Sequence, residues 1–437
     1  MHALPSPRIL PFAIATGVLL LGVPRFDSET TAVGSAQASP RSPSDSPTTK
    51  AASAITRKVS DAPTGHLEHP ARLAALFSRF QELETKQAKT DVRLVQFGDS
   101  HTASDYGTSV ARLRLTARFG SGGRGFIPMG APYKRLFQAG ESVSRGIAFE
   151  PDETTLPANR GRSDGFFGPT GIAMDGRVLG ASMTSELSAS ADRFEIAYLA
   201  QPAGGSFDIY VDGQRRTRIA TNQASRASAF RTFEVERGSH SLEARAVGDG
   251  SVRIFGVRLD DDAVGLTLDS LGINGAKATT LLGTDEANFT EQVAHVAPAL
   301  AIFAYGTNES GDTTTTPDDH AEAIKALAKR AKKGAPGAQC LVLGPPDRGS
   351  RTLPKLIELI AAQRRAADES GCAFYDQLAA MGGPGAIGRW ASESPPRARR
   401  DFVHLTRAGY AFVAEALVHD LVMAYDNWKS ANSVASR

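Results

Sequence analysis

Cysteine is almost missing from this chain: its 437 residues hold two, Cys340 and Cys372. Two thiols cannot build a cysteine-based metal site. Each begins a short apolar stretch that reads as a strand, and strand-start cysteines in a layered core usually behave as small buried hydrophobes. The expectation is two free thiols. Net charge is also missing, because 49 Lys and Arg stand against 47 Asp and Glu. No basic field is left over to hold a nucleic acid. A long apolar run is missing too. The longest, Ile9 to Val23, is broken by Pro11, Thr16 and Gly22 and is too short for a comfortable membrane span. The acidic run Asp260-Asp261-Asp262 lacks the glycine and distal glutamate of a calcium-binding loop, so it reads as a solvated loop.

What the chain does have begins with that apolar run. Arg8 precedes it and Ala36-Gln37-Ala38 follows as a small-residue cleavage site, the pattern of a secretory signal over residues 1–38. An uncleaved N-terminal anchor is the alternative; both place the bulk of the chain in the cell envelope, the periplasm or the medium. No cysteine follows the run, which argues against a lipid anchor. Residues 39–66 are rich in Ser, Thr, Pro and Ala and cannot bury enough surface to fold, so they read as a disordered linker. A hydrophobic fraction of 41% and a charged fraction of 22% describe an ordinary globular remainder, long enough for two domains.

The first part of that remainder, 67–139, is α/β in pattern. Leu73, Leu76, Phe77, Phe80 and Leu83 form a helical stripe, and Val92 to Phe97 reads as a buried strand ending in Gly98-Asp99-Ser100. A helical pattern from Tyr106 to Phe119 follows. From 140 to 262 the helical period gives way to short alternating stretches with Asp212-Gly213 and Arg237-Gly238 as turn signals. Such spacing argues an inserted all-β domain, a sandwich or jelly roll. Over 263–430 strands and helices alternate again: Ala299 to Tyr305, His320 to Lys333, Gln339 to Leu343, Leu353 to Ser370, Cys372 to Tyr375, and a closing helix capped by Thr406. This alternation implies a parallel sheet covered on both faces, with any site at its strand ends.

Four segments at those ends carry chemistry. Ser100 follows a strand directly, where a hydroxyl is exposed but unreactive until a base takes its proton. Asp401 lies three residues before His404 near the end of the chain; a turn there lets the carboxylate hold Nδ1 while Nε2 faces the serine. Asn308, in Gly306-Thr307-Asn308-Glu309, can donate its amide to a developing oxyanion. Gly275, in Ile273-Asn274-Gly275-Ala276, offers a backbone N–H as a second donor, with Gly272 as its competitor, and the N–H of Ser100 is a third. Taken singly, each segment is also an ordinary turn; their order along the chain is what joins them. Asp99 is expected to tie its turn locally, and His101 to pack away from the serine. Arg124, Tyr133 and Lys134 are further candidates for a cleft, though spacing alone does not place them.

Gly98-Asp99-Ser100, Gly275, Gly306-x-Asn308 and Asp401-x-x-His404 stand in the order of the four blocks of the SGNH (GDSL-type) hydrolases, which the chain resembles from about residue 90 to 425. More narrowly, it is similar to the bacterial peptidoglycan O-acetylesterases, which carry an inserted β-sandwich between the first and second blocks; Gly123-Arg124-Gly125-Phe126 and Leu268 to Ala276 resemble that subgroup. The resemblance implies a flavodoxin-like three-layer α/β/α core. It also implies a cofactor-free and metal-free mechanism through an acyl-enzyme. Ser100 is then the nucleophile, His404 the base, Asp401 its orienting carboxylate, and Ser100, Gly275 and Asn308 the oxyanion hole. Glu309 stands where the family often has Asp and is assigned no role. The implied partner is an O-acetylated polysaccharide, peptidoglycan first among them. Transfer of the acetyl group to another sugar, or glycan binding without catalysis, are the competing outcomes.

Overall fold

The computed structural model describes residues 65–130, 137–139, 141–154 and 164–435. The signal and linker readings therefore lie outside the described residues, apart from the last two positions of the linker. So do Tyr133 and Lys134.

A six-stranded sheet forms the centre, in the order Leu67–Glu68, Ala373–Tyr375, Gln339–Leu343, Leu300–Ala304, Val92–Gly98, Leu266–Gly272. The five longer strands are parallel and the two-residue edge strand is antiparallel. Side chains alternate between faces along each strand, as period two requires. Val95, Phe97, Phe303, Val342 and Phe374 face the helices Glu286–Val296, Pro317–Gly334 and Leu353–Ser370. Leu94, Leu268, Ile302, Leu341 and Tyr375 face Ala74–Glu84, Tyr106–Phe119 and Arg407–Ala435. Both faces are covered, so the strands are apolar on both sides.

Nine further strands, between Gly123 and Asp260, are hydrogen-bonded into one antiparallel sheet. It begins with Gly123–Ile127, which pairs with Val252–Asp260, well before the expected start at 140. It is also continuous with the α/β core. Ser121 bridges Leu266, and Phe126, Phe167, Leu199 and Phe255 belong to the same apolar cluster as Phe97 and Phe303. The described residues all fall within one compact unit. Asp212-Gly213 is the expected two-residue hairpin turn, with φ of 52° and 77°. Arg237-Gly238 is not a turn. It lies inside the twenty-residue strand Ala227–Ala246, where register shifts on both sides of Gly238 mark a bulge. A glycine inside a strand serves either purpose, and only the partner strand decides which.

The cysteines correct a further expectation. Cys340 and Cys372 form a disulfide, with Cα atoms 4.7 Å apart. Leu341 pairs with Ala373 in the parallel register, so the preceding residues sit side by side, and both side chains turn into the same apolar layer. That spacing is within reach of a disulfide bond.

Candidate active site

Three of the four segments leave neighbouring strands at one level. Gly98 pairs with Gly272 on one side and with Ala304 on the other, so the chain beyond all three opens on the same edge of the sheet. That edge is the carboxyl end of a parallel sheet, where sites in such folds form. The crossing is tight. A Cβ on Gly98 would lie 2.2 Å from Thr102 Oγ1 and 2.8 Å from the Ala304 carbonyl, and one on Gly272 would lie 2.3 Å from the Ala103 nitrogen. Gly272 thus serves close packing against the serine turn. Gly275, with φ of 78°, sits at the exposed tip of the loop that follows.

Asp99 caps the short helix Ser100–Ala103 by accepting from the His101 N–H at 2.9 Å, which presents Ser100 as its first residue. The Ser100 hydroxyl lies 3.1 Å from His404 Nε2. His404 Nδ1 lies 2.9 Å from Asp401 Oδ2, while Asp401 Oδ1 accepts from the N–H groups of Val403 and His404 at 3.0 and 2.9 Å. Phe402, at a left-handed φ of 54°, makes the turn that lets residues three apart meet. Partial burial raises the Asp401 pKa, but the two N–H groups and the imidazole outweigh it, and the carboxyl is held below its ordinary value. Ser100, His404 and Asp401 thus form one hydrogen-bonded chain with a base in reach of a hydroxyl.

Asn308 is the second residue of the helix Thr307–Gly311, and its amide donates to the Ala276 carbonyl at 2.8 Å, which brings it against the Gly275 loop. The neighbour that sequence reasoning passed over does more. Glu309 is 1% exposed; Oε1 accepts from the Ala278 N–H at 2.8 Å and Oε2 from the Gly306 N–H at 3.0 Å. His320 Nδ1 lies 3.2 Å from Oε1. Burial raises the Glu309 pKa, but His320 and the Ala278 N–H draw it below its ordinary value. One buried carboxylate therefore staples the Gly275 loop to the Asn308 loop. Only its place three residues after Gly306 hinted at this; Ala278 and His320 are not predictable from spacing.

Arg348 was also missed. Its guanidinium donates to the Thr307 carbonyl and, at 3.0 Å, to Ser310 Oγ, while the next residue, Gly349, donates its N–H to the Phe402 carbonyl at 2.8 Å. Two consecutive residues thus touch the Asn308 side and the His404 side. Behind the serine, Asp99, His101, Tyr305 and Tyr410 help line a cavity of about 50 Å³. The Tyr410 hydroxyl is 2.9 Å from His101 Nδ1, and the His101 ring lies 5.5 Å from that of His404. Burial and then His404 push the His101 pKa down to about 3, so it stays neutral beside His404. Burial pushes the Asp99 carboxyl up to about 7. Arg124 is buried and paired with Asp105, so it holds the start of Tyr106–Phe119; it lines a groove with Arg112 and Ser190 and is not part of the cavity behind Ser100. Among the described residues no cluster of His, Cys, Asp and Glu could hold a metal ion, and no helix is long and apolar enough to cross a membrane.

The model of the GDSL-like lipase/acylhydrolase family matches residues 238–412. That stretch contains Gly275, Asn308, Asp401 and His404; Ser100 precedes it. No curated protein matches the sequence. Among solved structures the chain is similar to a peptidoglycan O-acetylesterase at 23% identity and a TM-score of 0.67, over 81% of this chain and 96% of that one. A family two carbohydrate esterase from Clostridium thermocellum, solved with cellohexaose, is matched at 11% identity and a TM-score of 0.29, over 66% and 100% of the two chains. The chain carries a GDSL-like lipase/acylhydrolase region on an SGNH-type fold and is a carboxylic ester hydrolase.

Proposed function

We propose that the protein is an exported serine esterase that removes O-acetyl groups from a polysaccharide, peptidoglycan first. The observation that carries the reading is the hydrogen-bonded chain from Ser100 through His404 to Asp401. Ser100 attacks the acetyl carbonyl as His404 Nε2 takes its proton. Asp401 orients the ring and stabilises the imidazolium. The oxyanion forms against the N–H groups of Ser100 and Gly275 and the side-chain amide of Asn308. Collapse breaks the bond to the sugar oxygen, which takes the proton from His404 and departs as the free hydroxyl, leaving acetyl-Ser100. Water then repeats the sequence and releases acetate. The steps balance with water as the only co-reactant.

Three observations support the polysaccharide part. The peptidoglycan O-acetylesterase that shares the fold, the secretory pattern of residues 1–38 and the antiparallel sheet beside the site all favour a glycan. We assign to that sheet, as an inserted β-domain, the task of holding a polymer near Ser100. Acetate release from O-acetylated peptidoglycan, set against acetylated xylan and a small acetyl ester, tests the reading. A preference for peptidoglycan supports it, and release from the small ester alone removes the polymer.

A further inference from the structure

The turn that carries the base is unusually rich in one charge. Between residues 397 and 407 stand Arg397, Arg399, Arg400 and Arg407, against Asp401 as the single acid. The chain as a whole is near neutral at +2, so this excess is local. Arg397 is neutralised by Glu393. Arg399 and Arg400 are exposed, and neither has a side-chain partner among the described residues. Their backbone is part of the turn itself: the Arg399 N–H donates to the His404 carbonyl at 2.8 Å, and its carbonyl accepts from Phe402 at 3.1 Å. The bond from Gly349 to Phe402 brings Arg351, two residues on, exposed and with no hydrogen-bond or ion-pair partner among the described residues, to the same side. Arg407, three residues after His404, lies over the Tyr106 and Phe137 rings with its charge exposed.

Unpaired guanidinium groups repel one another and gain little from solvent that a lysine would not gain. Their planar forks match carboxylates in two-point contact. A small neutral acetyl ester offers nothing for them to hold. We infer that Arg351, Arg399, Arg400 and Arg407 form a rim beside the Asp401–His404 turn that binds carboxylates of the acetylated polymer, making the substrate an anionic glycan. The inference rests on the esterase reading above and adds the substrate's charge class.

Binding by Ser100→Ala protein tests it without turnover. The probes are O-acetylated peptidoglycan fragments and the same fragments with their carboxylates amidated. At low salt the intact fragments should bind about tenfold or more tightly. The gap should close at about 0.5 M NaCl, where screening is short-ranged, and in R399Q/R400Q protein. Acetylated polygalacturonate locates the charge: tight binding there and not to intact peptidoglycan fragments keeps the rim but places the carboxylate on the sugar ring. Equal binding of intact and amidated fragments, with no gain for polygalacturonate, overturns the inference. So does a preference that survives R399Q/R400Q. Failure of the wild type to release acetate from any ester would sink the esterase reading separately, since binding needs no catalysis.

Discussion

Two carboxylates in this site make the same bonds in different surroundings. Asp401 accepts from two backbone N–H groups and lies against one imidazole, and so does Glu309. The Asp401 side chain is 46% exposed and all its partners lie within three residues. Glu309 has a side-chain exposure of 2% and partners at 278, 306 and 320. Water can replace what Asp401 does for its own turn, though not the orientation of His404. Nothing replaces what Glu309 does for two loops. The same inventory of hydrogen bonds therefore predicts a loss of chemistry at one carboxylate and a loss of architecture at the other.

The largest effects should fall on the exposed side and leave stability alone. His404→Ala and Ser100→Ala should each lower kcat/KM on a small acetyl ester by about 10⁴-fold or more, with unchanged melting temperature. Asp401→Asn should cost less, on the order of 10²- to 10⁴-fold, through a misoriented or wrongly protonated ring. A serine-directed phosphonate should label Ser100 alone, and labelling elsewhere would break the comparison at its start. Asn308→Ala should lower kcat by about a hundredfold on every ester with little change in KM, because its donor matters when charge develops.

Glu309→Ala should behave differently. It leaves buried N–H groups and His320 without their acceptor, which costs about 3 kcal/mol of stability and lowers Tm as well as kcat. Glu309→Asp should regain part of the melting temperature and less of the kcat, because a shorter side chain cannot hold the same separation of the loops. A stable, fully active Glu309→Ala protein would erase the contrast.

The smallest effect concerns pH. Glu309 and Asp401 have folded pKa values below their unfolded ones, so the stability they contribute is present at neutral pH and fades only as pH falls below about 4. Asp99, pushed up to about 7, runs the other way: the folded state binds its proton more tightly, so stability falls as pH climbs from about 4 to 7. Asp99→Asn should therefore raise Tm more at pH 8 than at pH 5, measured by thermal melts. An equal rise at both would remove the titration from Asp99.

What could be read from the sequence was local. The stripe from Leu73 to Leu83, the strand into Gly98 and the helix Tyr106–Phe119 carry their own periodicity, so their types follow from neighbours in the chain. Asp401 and His404 are three apart, and a turn settles their contact. What escaped depended on distant partners. The bulge at Gly238 is set by the strand Ser182–Ala200, the disulfide by parallel register, and the start of the antiparallel sheet by a pairing between Gly123–Ile127 and Val252–Asp260. Glu309 and Arg348 act through groups far along the chain, which periodicity does not reveal.

The pairing of Gly98 with Gly272 carries a consequence for how such a chain can grow. These residues end adjacent strands, yet the whole antiparallel sheet is threaded between them. The entropy of closing a loop rises only with the logarithm of its length, about 0.6 kcal/mol for each doubling. The sideways hydrogen bonds that set the two strands are indifferent to how far the chain travels in between. The Ser121–Leu266 bridge joins the chain entering the block to the first residue of the second strand. A large block can thus be accepted between the Ser100 and Gly275 loops at little thermodynamic cost.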